Sequence, residues 1–316
     1  MGPESVSKVC QMRKLIAGSR GSKLALYQTH HVASMIPNDV EVITIQTRGD
    51  KIQDVALAKL EGKAFFTKEI DDALLRGDID FAVHSFKDVP TDLPDGLIIA
   101  AVPERVTPSD ALVSVHPSFD ALPKGAVVGT SSLRRQSYIH AERPDLVVKD
   151  LRGNVDTRVR KLSEGQYDAI IGAEAGLVRM GIFAYQALDP KKYNPAAGQG
   201  AIAVTARSND PEVMKIFQQI NDPDAQLSCT LERIFLEAIG GGCQIPAGVH
   251  TILHRETDQF VIHGFIASVD GKRFLRDTLS GPIGKGKELS IELARRLLDS
   301  GGREILNSIR KGEGTW

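Results

Sequence analysis

Cysteine is scarce in this 316-residue chain, and the three present show no pattern: Cys10, Cys229 and Cys243 form neither a CxxC pair nor a Cys/His spacing. That excludes a disulfide framework and a structural zinc site. Aromatic residues make up only 5%, which leaves few rings for stacking on bases. An excess of one charge is missing too. Lys plus Arg number 39 against 40 for Asp plus Glu, a net charge of −1. No global field therefore draws in nucleic acid or a membrane surface, and anion recognition has to come from local clusters. No apolar run approaches the roughly 18 residues that span a bilayer. The opening "MGPESVSKVCQM" has neither an apolar signal core nor an arginine-rich transit pattern, and Val6 breaks the myristoylation motif. Residues 1–12 read as a loose, disordered tail on a cytosolic protein. Fixed-period repeats and low-complexity tracts are absent.

What is present is an alternation of strands and helices, the mark of an α/β protein long enough for two or three domains. "KLIAGS" reads as a strand and Ser22 as the cap of a helix running to about Ile36. "VEVITIQT" is a second strand. "FFTKEIDDALLRG" is a helix with Phe66, Ile70, Ala73 and Leu74 on one face and Gly77 as its stop. "IDFAVHS" and "GLIIAAV" are short buried strands. The pattern restarts between Pro103 and Pro108, where "DALVSV", "AVVGTS" and "YDAIIGA" are strands, Ser132 to Arg143 is a helix, and Asn154 caps another. "NPAAGQG" reads as a crossing back to the first lobe, followed by strand "AIAVTA". From about Asp222 a long amphipathic helix, three strands and a final helix suggest a separate α+β unit. The expected fold is two hinged, doubly wound α/β lobes (periplasmic-binding-protein-like) plus a small C-terminal α+β domain. Its boundaries are residues 13–104 with 200–220, then 105–199, then 221–316. A cleft between two such lobes is a favoured ligand site.

Cations gather at element ends: Arg20 and Lys23 in "GSRGSK", Lys59 and Lys63 in "KLEGKAFFTK", Arg134 and Arg135 in "GTSSLRRQ", Arg152 and Arg158 in "LRGNVDTR". Helix N-termini attract anions, and arginine adds a planar fork for carboxylate or phosphate. Four such sites in two lobes suit a ligand with several anionic groups, and the alternative is solvated surface charge. Nucleotide loops are not indicated, since neither GxxxxGK[ST] nor GxGxxG occurs at a helix start. Asp88 lies where a buried strand empties into the loop "FKDVPTDLPD", and reads either as a turn former or as a carboxylate that stabilises a cation or moves a proton. His84 reads as a hydrogen-bonded structural histidine, and Cys229 as a buried small hydrophobe. Cys243, after three glycines in "EAIGGGCQIPAG", sits on a tight loop. Its thiol stays open as nucleophile, metal ligand, attachment point or inert residue.

Seven runs, "TRGDKI", "VHSFKDVPT", "VGTSSLRRQ", "LRGNVDTRVRKL", "AGLVRMG", "GQGA" and "GGCQIP", together resemble the hydroxymethylbilane synthase (porphobilinogen deaminase) family, from about Arg13 to Arg310. The resemblance implies a transferase of haem-type tetrapyrrole biosynthesis. It would join porphobilinogen units head to tail into hydroxymethylbilane, with release of ammonia at each step. It implies a dipyrromethane cofactor held by a thioether to Cys243, so that the thiol is a tether. It places Asp88 as the catalytic residue. Ser22, Lys87, Asp88, Thr130, Ser132, Arg134, Arg135 and Arg152 would hold the cofactor. Arg20, Arg158, Arg179, Gln199, Lys59, Lys63 and Phe66 would hold substrate or line the loop over it. No metal, nucleic acid or membrane partner is implied, and the monomer is the expected state. Glu61, Ala64 and Glu174 depart from the family pattern, and Glu174 would add negative charge near Arg179. Rival readings are a non-catalytic two-lobed anion receptor, which needs neither Asp88 nor a displayed cysteine, and a nucleic-acid binder, which the charge balance disfavours.

Overall fold

A computed structural model describes residues 13–51, 67–241 and 245–310. The tail 1–12, the cleft-loop residues Lys59, Glu61, Lys63, Ala64 and Phe66, and Cys243 lie outside the described residues.

The first lobe runs through β1 (Leu15–Ser19), α1 (Lys23–Met35), β2 (Val40–Thr44), α2 (Arg48–Lys51), α3 (Lys68–Arg76), β3 (Phe81–Ser85) and β4 (Leu97–Ala101). The second holds β5 (Asp110–Ser114), β6 (Val127–Gly129), α4 (Leu133–Glu142), β7 (Val147–Lys149), α5 (Val155–Ser163), β8 (Ala169–Ala173), α6 (Glu174–Arg179) and β9 (Gln186–Ala187). The chain then returns as β10 (Ile202–Arg207) and α7 (Pro211–Gln218). A third unit follows: α8 (Pro223–Ala238), β11 (Ala247–His254), β12 (Gln259–Ala267), β13 (Phe274–Pro282), α9 (Gly286–Leu297) and α10 (Arg303–Arg310).

Both lobes carry one plan. Their five-stranded sheets are ordered β2-β1-β3-β10-β4 and β7-β6-β8-β5-β9. In each, four strands run one way, and the strand that has just crossed from the other lobe enters antiparallel between the third and the last of them. Strand alternation explains why both faces are covered. Leu15, Ala17, Phe81 and Val83 meet Val32 of α1 and Phe217 of α7. Ala82, one position out of phase, meets Ile70, Ala73 and Leu74 of α3 on the other face. The second sheet divides in the same way, with Val128 and Ile171 towards Ile139 of α4 and Val113 and Ile170 towards Leu177 of α6. The third unit packs Leu231 and Phe235 of α8 and Leu293 and Leu297 of α9 on a three-stranded antiparallel sheet. This is the expected mixed architecture of two α/β lobes with a small C-terminal α+β unit.

Local signals worked where a side chain supplies the missing bond. Ser22 Oγ accepts the Ala25 N–H at 3.2 Å and starts α1. Gly77, at φ 80°, closes α3 in the left-handed region. Asn154 occupies the cap position of α5, but its side chain makes no capping bond. Among the described residues no helix is long and apolar enough to cross a membrane.

Candidate active site

A cavity of about 980 Å³ opens between the lobes. Its walls come from the carboxyl ends of strands, where loops leave the sheet and helices begin. The first lobe contributes Arg20 and Ser22 after β1, and His84, Ser85, Lys87 and Asp88 at the end of β3. The second contributes Arg135 in the first turn of α4, Arg152 before α5, Arg158 within it and Arg179 at the end of α6. Gly153 has φ 108°, and a Cβ there would lie 2.7 Å from Thr157, so only glycine lets the chain turn beside Arg152. Among the described lining residues, eight are arginine or lysine (Arg160 and Lys161 complete the set), and Asp88 is the one carboxylate.

Burial shapes this field. Burial, then repulsion from Arg135 and Arg152, brings the Arg158 guanidinium down to about 10, against the opposing pull of Asp88. Arg152 and Arg179 are also lowered, by burial first. Burial and then Arg135 bring Lys87 down to about 8, while Asp88 and Asp110 work the other way. His84 is pushed to about 4 by burial and then by Arg20, so its ring is neutral near pH 7. Contrary to expectation, its buried Nε2 has no hydrogen-bond partner. Depressed cations packed in a cleft gain most from an anion that restores their compensation. A tethered pyrrole chain with acetate and propionate arms has this chemistry, so the donor set fits a dipyrromethane group.

Ser22, Lys87, Asp88, Arg135, Arg152, Arg20, Arg158 and Arg179 thus face one cavity. Three other sequence-derived candidates are buried behind its wall, and a fourth, Ser132, is half-buried outside its lining. Arg134 is 4% exposed, and its fork is taken up by Asp110 (2.8 and 3.1 Å) and the Asn194 carbonyl (2.9 Å). Its role here is to neutralise a buried carboxylate. Thr130 is buried, and its hydroxyl accepts the Ser132 N–H at 3.3 Å. Ser132 stands at the cap of α4 without a side-chain capping bond, and is not among the lining residues. Gln199 is fully buried with its amide engaged by protein groups. The doublet read as one anion site is therefore split: Arg135 reaches both Asp110 and the cavity, and Arg134 only the interior. Glu174 turns to the hinge, accepting from Thr107 Oγ1 at 2.7 Å, while Arg179 donates to the Gly200 carbonyl at 2.8 Å.

Two buried carboxylates at the crossings were not singled out from the sequence. Asp110 accepts from Arg134, Arg135, Tyr138 and Gln199. Burial alone would raise its carboxyl, but the two arginines hold it far below the usual range. Glu232 of α8 takes the Arg105 fork at 2.8 and 2.9 Å and the Gly198 and Thr251 N–H groups at 2.8 and 2.9 Å. Burial is the largest influence and would raise Glu232, but Arg105 and His250 together outweigh it and hold the carboxyl at about 2. The crossings themselves touch backbone to backbone, since any Cβ on Gly200 (φ 92°) would strike the Thr107 carbonyl oxygen. Asp110 and Glu232 could have been suspected only as acids at predicted element ends facing arginine-rich segments. Among the described residues no cluster suits a metal ion.

Comparisons with known proteins place the sequence in a family. The model for the dipyromethane cofactor binding domain of porphobilinogen deaminase matches residues 15–215, and that for the enzyme's C-terminal domain matches residues 226–299. The porphobilinogen deaminase of Nitratidesulfovibrio vulgaris strain DP4 is 45% identical over 307 residues, 94% of this chain and 97% of its own. That of Syntrophomonas wolfei is 47% identical over 309 residues, 95% of this chain and 100% of its own. A solved ancestral cationic amino acid solute binding protein aligns with 66% of this chain and 88% of its own at 15% identity and a TM-score of 0.43. Family models and relatives span nearly the whole chain, which belongs to the porphobilinogen deaminase family.

Proposed function

We propose that the chain is a hydroxymethylbilane synthase that works as a cytosolic monomer, with Asp88 as its catalytic residue and Cys243 as the anchor of its dipyrromethane. The single observation that carries the site assignment is that Asp88 is the one carboxylate among the described residues of a cavity whose walls carry eight cations. When bound, the dipyrromethane supplies the free α-carbon to which the first porphobilinogen unit is joined. Arg20, Arg135, Arg152, Arg158 and Arg179 hold the acetate and propionate arms by charge-assisted hydrogen bonds. Ser22 and Lys87 add donors from the first lobe. Lys59, Lys63 and Phe66, outside the described residues, belong in this reading to the loop over the substrate.

Asp88 then has one task these cations cannot perform. As the aminomethyl C–N bond of porphobilinogen breaks and ammonia leaves, positive charge grows on the substrate pyrrole. A fixed carboxylate within reach of its N–H stabilises that charge, and in a cleft with little water the effect is several kcal/mol. The same carboxylate is placed to take up the proton lost when the new carbon–carbon bond forms.

Intact mass spectrometry tests the tether. The purified chain should carry an adduct of two linked pyrroles, and Cys243→Ser should lack it. An unmodified wild-type chain, from a host that makes the precursor, overturns the assignment. A sedimentation measurement returning a dimer corrects the oligomeric state.

A further inference from the structure

Gln199 carries no charge and meets no solvent, yet both ends of its amide are fully engaged. Its Nε2 faces acceptors only: the Pro108 carbonyl at 2.8 Å, the Ser109 carbonyl at 3.2 Å and Asp110 Oδ1 at 2.9 Å. Its Oε1 faces donors only, Lys87 Nζ at 3.2 Å and Arg135 Nη2 at 3.4 Å. Turning the amide over would set its NH₂ against two cations and its oxygen against a carboxylate and two carbonyls. One orientation is therefore imposed. The partners come from four separate places: the outgoing crossing, the start of β5, the first turn of α4, and the turn after β3 in the first lobe. Gln199 itself lies on the returning crossing. A rotation of one lobe against the other cannot leave all five contacts unchanged.

We propose that Gln199 is a positioning residue that ties the two crossings to Lys87, setting the place and the charge of the ammonium next to Asp88. Its bearing on the reaction rests on the assignment of Asp88 above, whereas the titration of Lys87 tests it separately. Among the described residues, the charged groups that act on Lys87 include Arg135 and Arg134, which disfavour its charge, and Asp88 and Asp110, which favour it. Burial is the largest influence and brings the group down to about 8. In that balance a neutral oxygen that accepts from Nζ favours the protonated form. Through Asp110 and Arg135 the same amide is joined to the second lobe, so the lysine is coupled to the hinge as well as to the cleft.

Two substitutions separate this coupling from a merely structural role. Gln199→Leu keeps the size and removes the acceptor, so the Lys87 midpoint should fall. Gln199→Glu sets its second oxygen against Asp110 and the Pro108 and Ser109 carbonyls, so its carboxyl is held protonated, donates to them, and still offers Lys87 a carbonyl oxygen. Its midpoint should stay near that of the wild type. The midpoint is read on holoenzymes of matched cofactor content, from the pH dependence of Lys87 acylation followed by peptide mass spectrometry below the unfolding temperature. The alkaline limb of kcat/KM should move in the leucine variant and stay in place in the glutamate variant. A merely structural role would lower stability without this split in the behaviour of Lys87. A midpoint that stays put in Gln199→Leu, or falls equally in both variants, overturns the proposal. If the leucine variant does not fold, Gln199→Met, which also lacks the acceptor, takes its place, and an unmoved midpoint there overturns it. A lowered Lys87 midpoint in Gln199→Leu with an Asp88→Asn enzyme of undiminished rate would leave Gln199 in its role and remove Asp88 from its own.

Discussion

The arginines of the cleft and those of the crossings are the same side chain put to opposite uses. At the crossings Arg105 and Arg135 face Glu232 and Asp110, and attraction to those carboxylates outweighs burial and raises both guanidinium groups. In the cleft Arg152, Arg158 and Arg179 are lowered, burial being the first cause for each. One set is compensated from within the fold, while the other is left for a ligand to compensate. The difference teaches that an arginine count says little about anion binding until each guanidinium has been matched to its carboxylate. Arg135 belongs to both sets, lining the cavity while it bonds to Asp110.

The largest effect should come from breaking the compensated set. Asp110→Asn leaves Arg134 and Arg135 buried beside a neutral group, a loss of about 3–5 kcal/mol in urea unfolding. Arg158→Gln, in the other set, should change stability by no more than about 1 kcal/mol. It should instead lower kcat/KM by roughly 10–100-fold, the worth of one charge-assisted hydrogen bond. Equal stability losses in the two variants would erase the distinction. Asp88→Asn comes next, with kcat down about 10²–10³-fold and KM nearly unchanged. Matching losses in affinity and rate would speak against charge stabilisation at the reacting ring.

A pair of acid windows extends the comparison to pH. His84 titrates near 4 in the folded chain against 6.5 for the free group, so the unfolded chain takes up its proton first. Stability should therefore decline as pH falls from 6.5 to about 4, and His84→Gln should flatten that limb. Glu232 behaves as a depressed carboxylate. Its contribution is full above 4.5 and is lost as pH falls towards about 2. Urea midpoints measured across pH 7 to 2 should show the cleft histidine failing before the crossing glutamate.

The strands and helices were legible because each is announced locally, by period and by punctuation such as Ser22 and Gly77. Helix α7 was legible too but was passed over, although Asp210 caps it and Pro211 opens it. The cleft half of the site was legible through motif runs and helix starts. What stayed hidden was pairing at long range. Asp110 looks like the first residue of a strand, and only the fold brings Arg134 and Arg135 onto it. Gln199 looks like one more polar residue of a glycine-rich turn. Its buried amide becomes distinctive once Pro108, Asp110 and Lys87 surround it, and no local period encodes that.

The antiparallel entry of the crossing strands also has a consequence for the order of assembly. β4 sits at the edge of its sheet, and its single partner there is β10. On a ribosome that strand of the first lobe must wait until the chain has passed Arg207, by which time the whole second lobe has been made. At 5–20 residues per second the delay is on the order of ten seconds. The lobe that begins at the amino terminus is therefore the last of the two to close, and an apolar strand, "LIIAA", spends that interval in need of shelter.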